Sequence, residues 1–340
     1  MKSQRLKNLL LLTAFSIYSG NSLFAQNPPE LTDRGGQTDA SAVETKTKQN
    51  QATRFIRLQR DASGNPVALQ TSITRYQDKT GKILVDLVGA VHIGEADYYK
   101  RLNQQFNQYD VVLYELVAPE GTRIPKGGRT DSSNPLSWLQ ASMKNMLGLE
   151  SQLELIDYQS KNLKHADLSP KQMATRMAER GDTPITVGLS AVADILRQQN
   201  LAQRQAASET DSAPVASLPE LMDLLGQPLE LKKMLAAQFT DSGDLSNKLG
   251  ATLNQLLIVD RNQAAVQVLE ESIQDGKQKI AIFYGAAHLP DFEQRLTKKL
   301  ALKKTDHIWV DAWDLTTAPR SNQLSDPASA LLKLMELIDN

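Results

Sequence analysis

The order of apolar and polar positions divides the chain into strands and helices before any single residue is considered. Residues 54–58 alternate, and 68–76 alternate again before the turn sequence Asp78-Lys79-Thr80-Gly81. This predicts a hairpin leading into Ile83-Leu84-Val85-Asp86-Leu87-Val88, an almost continuous apolar run of the kind found in a strand buried on both faces. Residues 95–108 carry Tyr98, Leu102 and Phe106 at helical spacing, and 110–117 form the next apolar run, closed by Pro119-Glu120-Gly121. Strand, helix and strand with short connections predict parallel pairing through a right-handed crossover.

From residue 135 to about 273 the spacing is mostly helical, which predicts a large helical insertion. Ser169-Pro170 is a helix start with capping chemistry, residues 206–219 read as a polar link, and 249–272 read as one long helix. The short run 153–157 reads as a strand, and His165 falls in the helical region. A second strand–helix–strand unit follows at 279–284, 290–300 and 306–311. The expected fold class is therefore α/β, a mixed sheet with parallel strand–helix–strand units and a large helical insertion. The expected domain spans residues 53–320, followed by a C-terminal segment, 321–340, with an amphipathic helix at 327–337.

The start of the chain reads differently. Lys2, Arg5 and Lys7 precede an apolar stretch at 9–18 and a small-residue edge at Ala25, the pattern of a secretory signal over 1–25. The stretch is too short to cross a bilayer core of roughly 30 Å with ease. The expected location is exported, periplasmic or extracellular, with membrane association only through an uncleaved signal or the tail helix. Residues 26–52 have almost no large apolar side chains and read as a disordered leader. A net charge of -1 and 5% aromatic residues give no support to a nucleic-acid partner. The absence of cysteine excludes disulfides, thiolate ligands and a cysteine nucleophile. There is no Gly-x-Ser-x-Gly, phosphate loop, dinucleotide glycine fingerprint or His-Glu-x-x-His.

The chemistry gathers on a repeat. Gly89-Ala90-Val91-His92 and Gly285-Ala286-Ala287-His288 each end an apolar strand run, and they hold two of the chain's four histidines. Each His is followed 23 positions later by a carboxylate, Glu115 and Asp311 respectively. Ligand sites in parallel α/β units lie at the carboxyl ends of strands, where both histidines fall. A carboxylate within a run as apolar as Leu113-Tyr114-Glu115-Leu116 is costly to bury without a cation or donors. Two histidines and a glutamate form a sensible divalent-ion set that would activate water near neutral pH, with Glu115 as ligand or general base. Arg261 lies mid-helix among apolar neighbours and is suited either to a surface ion pair or to holding a carboxylate. His165 is a further candidate for the cleft, and Asp311 completes the second unit if the two are equivalent.

Val88 to His92, the Glu115 strand, Asp260-Arg261-Asn262 and Tyr284 to Leu289 together resemble the TraB/GumN family, which includes the Tiki proteins. The resemblance covers about residues 82–315, with a more distant likeness to erythromycin-esterase-like and ChaN-like haem-binding folds. It implies an α/β core with a helical insertion and, as in Tiki proteins, a manganese- or cobalt-dependent peptidase activity, with zinc as a further ion. His92, Glu115 and His288 would be the metal and catalytic set, with Arg261 and Asn262 beside it and Gly89 and Gly285 shaping the two motifs. Pro290-Asp291-Phe292 departs from the family's usual glycine after the second motif. The expected function is a metal-dependent hydrolase acting on a peptide or small molecule. Its rival is a non-catalytic protein that sequesters a peptide, pheromone or haem in the same cleft.

Overall fold

The computed structural model describes residues 54–119, 121–128, 144–182, 226–241 and 254–319. The expected signal, the leader, the polar link and the tail helix lie outside the described residues. In chain order the elements begin with strands β1 (Ile56–Arg60), β2 (Pro66–Gln77), β3 (Leu84–Ala90) and β4 (Ile93–Gly94). Helix α1 (Ala96–Phe106), β5 (Val111–Tyr114), β6 (Glu150–Ser151), α2 (Gln152–Leu155) and β7 (Leu163–His165) follow. The chain continues through α3 (Pro170–Glu179), α4 (Pro228–Asp241), a π-helical turn at Gln255–Val259 and α5 (Asp260–Gln274). It closes with β8 (Lys279–Gly285), a 3₁₀ turn at Ala286–His288, α6 (Leu289–Gln294), a π turn at Arg295–Lys299 and β9 (Lys303–Asp314).

The protein is α/β, with a seven-stranded mixed sheet in the order β1-β2-β3-β8-β5-β7 and β9 also paired to β2. The hairpin β2–β3 is antiparallel as its alternation and turn require, while β3, β8, β5 and β7 are mutually parallel. Period-two alternation sorts the side chains of the buried strands onto two faces. On one face Phe283, Val112 and Tyr114 meet Leu102 and Phe106 of α1 and Leu231 and Leu235 of α4. On the other, Ile280, Ile282, Tyr284 and Leu113 meet Val266 and Leu269 of α5 and Leu289 and Phe292 of α6.

Several expectations need correction. β3 and β5 are parallel but not adjacent, because β8 inserts between them and pairs with both. A crossover helix fixes relative direction, and it leaves room for a later strand in the gap. β9 does not close a second parallel unit next to β8; it returns antiparallel along β2, from Ala68↔Asp314 to Gln77↔Lys303. The two strand–helix–strand units are therefore not equivalent. The run 153–157 is helical at Gln152–Leu155, and His165 ends β7 instead of lying on a helix. In the long helix the described part starts with a π turn and becomes α-helical only at Asp260. Helix α3 forms as its sequence dictates: the Ser169 hydroxyl accepts from Gln172 N–H at 3.2 Å, and the Gln172 side-chain Oε1 accepts from Ser169 N–H at 2.7 Å. No helix among the described residues is long and apolar enough to cross a membrane.

Candidate active site

Four adjacent parallel strands deliver one polar side chain each just past their carboxyl ends. His92 follows β3, His288 follows β8, Glu115 follows β5 and Asp167 follows β7. Gly89 lets the first of these turns form. A Cβ there would sit 3.3 Å from Leu289 Cδ1, 3.3 Å from Ser72 O and 3.4 Å from Phe55 O, so packing rather than an unusual φ demands glycine. Gly285 contributes through its backbone, since its N–H donates to Glu115 Oε2 at 2.7 Å. The sheet register makes this possible by aligning Tyr114 with Phe283, which leaves Glu115 one residue and Gly285 two residues beyond the pair.

Glu115 continues the alternation of β5, so its side chain faces α5, where Arg261 is buried. Arg261 Nη2 donates to Glu115 Oε1 at 2.7 Å. The same guanidinium holds Asp167 through two bonds, Nε to Oδ1 at 3.0 Å and Nη2 to Oδ2 at 2.6 Å. Burial alone would lower the Arg261 pKa, yet Asp167 and Glu115 together raise it well above its ordinary value. Counted formally, this buried trio carries one negative charge in excess.

His288 is fully buried, and Asn262 sets its tautomer. Both Asn262 Nδ2 protons are committed, to His288 O at 2.9 Å and to Asp291 Oδ2 at 2.8 Å. Asn262 Oδ1, 2.6 Å from His288 Nδ1, is therefore the acceptor, and Nδ1 carries the proton. The neutral ring turns its Nε2 lone pair toward Glu115 Oε1 at 3.5 Å. Burial holds the His288 pKa well below 6.5, helped by the charge on Arg261 and by His92. His92 is likewise held low by burial, with Glu115 opposing that shift and Arg261 adding to it.

Helix α5 starts with three consecutive buried polar residues, each serving a different set of partners. Asp260 receives Arg180 Nη1 at 2.5 Å and Gln255 Nε2 at 2.8 Å, Arg261 reaches the two strand carboxylates, and Asn262 reaches His288. The π turn immediately before them is the kind of helix irregularity that often marks a functional position. Tyr284 Oη donates to Ala166 O at 2.5 Å and so ties the end of β7, and with it Asp167, to β8.

The structure thus brings Glu115, Arg261, Asn262 and His288 into one buried cluster, with the Gly285 N–H bonded to Glu115 and the half-buried His92 close enough to feel the charges of Glu115 and Arg261. His165 sits next to it with its Nε2 bonded to Leu116 O at 2.6 Å, where it braces the segment after Glu115. Asp311 is not brought in: it lies on β9, accepting from Gln70 Nε2 at 2.6 Å, on the antiparallel side of the sheet. Asp167 is the residue that sequence reasoning missed. Its only signal was an acidic residue shortly after Leu163, and the helical spacing of the surrounding segment concealed the short strand. A cavity of about 880 Å³ borders Pro119, Leu168 and α3 along its length from Pro170 to Glu179, without including the histidines, Glu115 or Arg261.

For a divalent ion, the donor chemistry fits at His288 and Glu115. A lone pair and a carboxylate oxygen face one another, the far imidazole nitrogen donates to an oxygen as it does in metal-binding histidines (here a carboxamide oxygen), and the cluster has negative charge to spare. Among the described residues no group of three His, Asp or Glu side chains is gathered closely enough to hold an ion as it stands. Arg261 also shares the Glu115 oxygen that an ion would use. In comparisons with known proteins, no family model matches the chain and no curated protein matches it.

Proposed function

We propose that the protein is an exported hydrolase of the TraB/GumN type, dependent on a divalent ion and acting on a peptide bond. The finer fold reading goes with it, an erythromycin-esterase-, ChaN- and Tiki-like core whose parallel strand ends carry the site. The observation that supports this most is the pairing of a His288 Nε2 lone pair with Glu115 Oε1 at 3.5 Å inside a buried cluster of negative formal charge. Two acceptors facing each other away from water repel, and a cation or a proton between them relieves that repulsion. His288 is held well below its ordinary pKa, which disfavours the proton on this ring and favours the cation.

In this reading His288 and Glu115 would hold the ion, and His92 would have to move in to serve as a third ligand. Such an ion, when bound, polarises a carbonyl and makes water acidic enough to act as a nucleophile near neutral pH. Asn262 keeps His288 in the ligating tautomer. Arg261 orients Glu115 and draws its own position from Asp167. Glu115 would also take a proton from an attacking water.

The test is direct. Purify the secreted chain, measure bound metals, and assay peptide libraries with Mn²⁺, Co²⁺ or EDTA. Cleavage that needs the ion and disappears in His288→Ala and Glu115→Gln is expected. Absence of metal together with tight capture of an uncleaved ligand would favour the sequestering reading instead.

A further inference from the structure

The two motif histidines stand in unequal surroundings: Asn262 accounts for His288, while the support of His92 lies in a residue with no role so far. Gln152 is 4% exposed and begins α2, directly after β6. β6 pairs antiparallel with β4, Ile93 opposite Ser151 and Gly94 opposite Glu150. The ladder extends by one further bond, from Gln152 N–H to His92 O at 2.8 Å. Gln152 is thus fastened by its backbone to the residue that matters.

Its side chain is fastened as well. Gln152 Nε2 donates to Tyr158 Oη at 2.8 Å, and the Tyr158 ring packs edge-on against Tyr114, ring centres 5.0 Å apart, on the strand that carries Glu115. With the amino end turned to Tyr158, the carboxamide oxygen is turned the other way. That oxygen is buried and has no hydrogen-bond partner among the described residues. His92 Nε2 is buried too.

We propose that Gln152 is the positioning residue of His92, its carboxamide oxygen accepting the His92 Nε2–H and leaving Nδ1 as the lone pair offered to the site. Each histidine of the repeated motif is then held by one carboxamide, Asn262 for His288 and Gln152 for His92, through opposite ring nitrogens. A buried carboxamide oxygen left without a donor is destabilising, so the imidazole is its natural complement. The assignment rests on His92 belonging to the site described above. Removing such outer support typically costs roughly 10–100-fold in metal affinity or activity.

The experiment reads the tautomer itself and requires neither substrate nor metal. Ring-¹⁵N-labelled full chain, prepared metal-free, is examined by long-range ¹H–¹⁵N correlation at one pH above neutrality. The four imidazoles are assigned with single His→Gln variants. The wild type is expected to show His92 protonated on Nε2 and His288 protonated on Nδ1. Gln152→Leu should move the His92 pattern toward mixed tautomers while leaving His165, His288 and His307 unchanged, and Gln152→Glu should restore Nε2 protonation. Finding His92 protonated on Nδ1 in the wild type would overturn the assignment, and so would an unaltered His92 pattern in a folded Gln152→Leu. Because these spectra do not depend on turnover, an inactive protein with the expected tautomers would defeat the hydrolase reading alone.

Discussion

Arg261 is the residue on which the cluster turns. Its guanidinium is the one cation within hydrogen-bonding distance of both Glu115 and Asp167 among the described residues, and all three side chains are buried. Replacing it by Met removes the cation and leaves two carboxylates facing each other out of water. A loss of about 3–5 kcal/mol of stability is expected, the usual consequence of breaking a buried pair from one side, and urea denaturation measures it. Asp167→Asn should be milder, because the amide still offers an oxygen to Nε and Arg261 keeps Glu115. The imidazoles make a second, independent mark on stability. The folded-state pKa of His288 lies below its unfolded value of 6.5, so on acidification the unfolded chain takes up the proton first. Its contribution is therefore complete above about pH 6.5 and is lost as pH falls toward the folded value, at about 1.4 kcal/mol per pH unit. His92 acts in the same direction. Denaturation midpoints should stay nearly level above pH 7 and fall from about pH 6.5 to 5 in the wild type, and fall less steeply in His288→Asn.

At the scale of elements, the strands and the α3 cap were legible because their signals are local. Period-two alternation, the Asp78–Gly81 turn and the Ser169-Pro170 start each need only a few neighbouring residues. Ser169→Ala should cost about 1 kcal/mol through loss of the cap, read as a lower thermal midpoint with the site's histidine spectra unchanged. The order of the strands was not legible, since nothing in residues 84–117 announces that β8, arriving much later, will separate β3 from β5. The same long-range pairing undid the equal spacing to Asp311: β9 finds its partner in β2, a strand formed before either motif. The repeat is real in its Gly-x-x-His pieces, and it ends there. Asp167 and Gln152 were hidden for a related reason. Both flank very short strands, β7 and β6, whose existence depends on what they pair with and not on their own composition.

For the molecule as a whole, the sheet is a device for converging side chains. Four parallel strands lie side by side, and their ends bring together residues from positions 92, 115, 167 and 288, with α5 closing over them from the far face. Helix α1 and helix α4 cover the opposite face, where Lys232, itself 3% exposed, reaches Glu95 at 2.6 Å and fastens α4 near the turn after His92. This arrangement leaves negative formal charge and neutral imidazoles at one spot, which is the physical basis for expecting a divalent ion. The most direct measurement is the cleavage of a peptide library by the purified full chain in Mn²⁺ or Co²⁺, against EDTA and against Glu115→Gln. Ion-dependent cleavage that falls by roughly 10²–10⁴-fold in Glu115→Gln is expected. Cleavage of equal rate in EDTA, or undiminished in folded Glu115→Gln, would contradict the site proposed here.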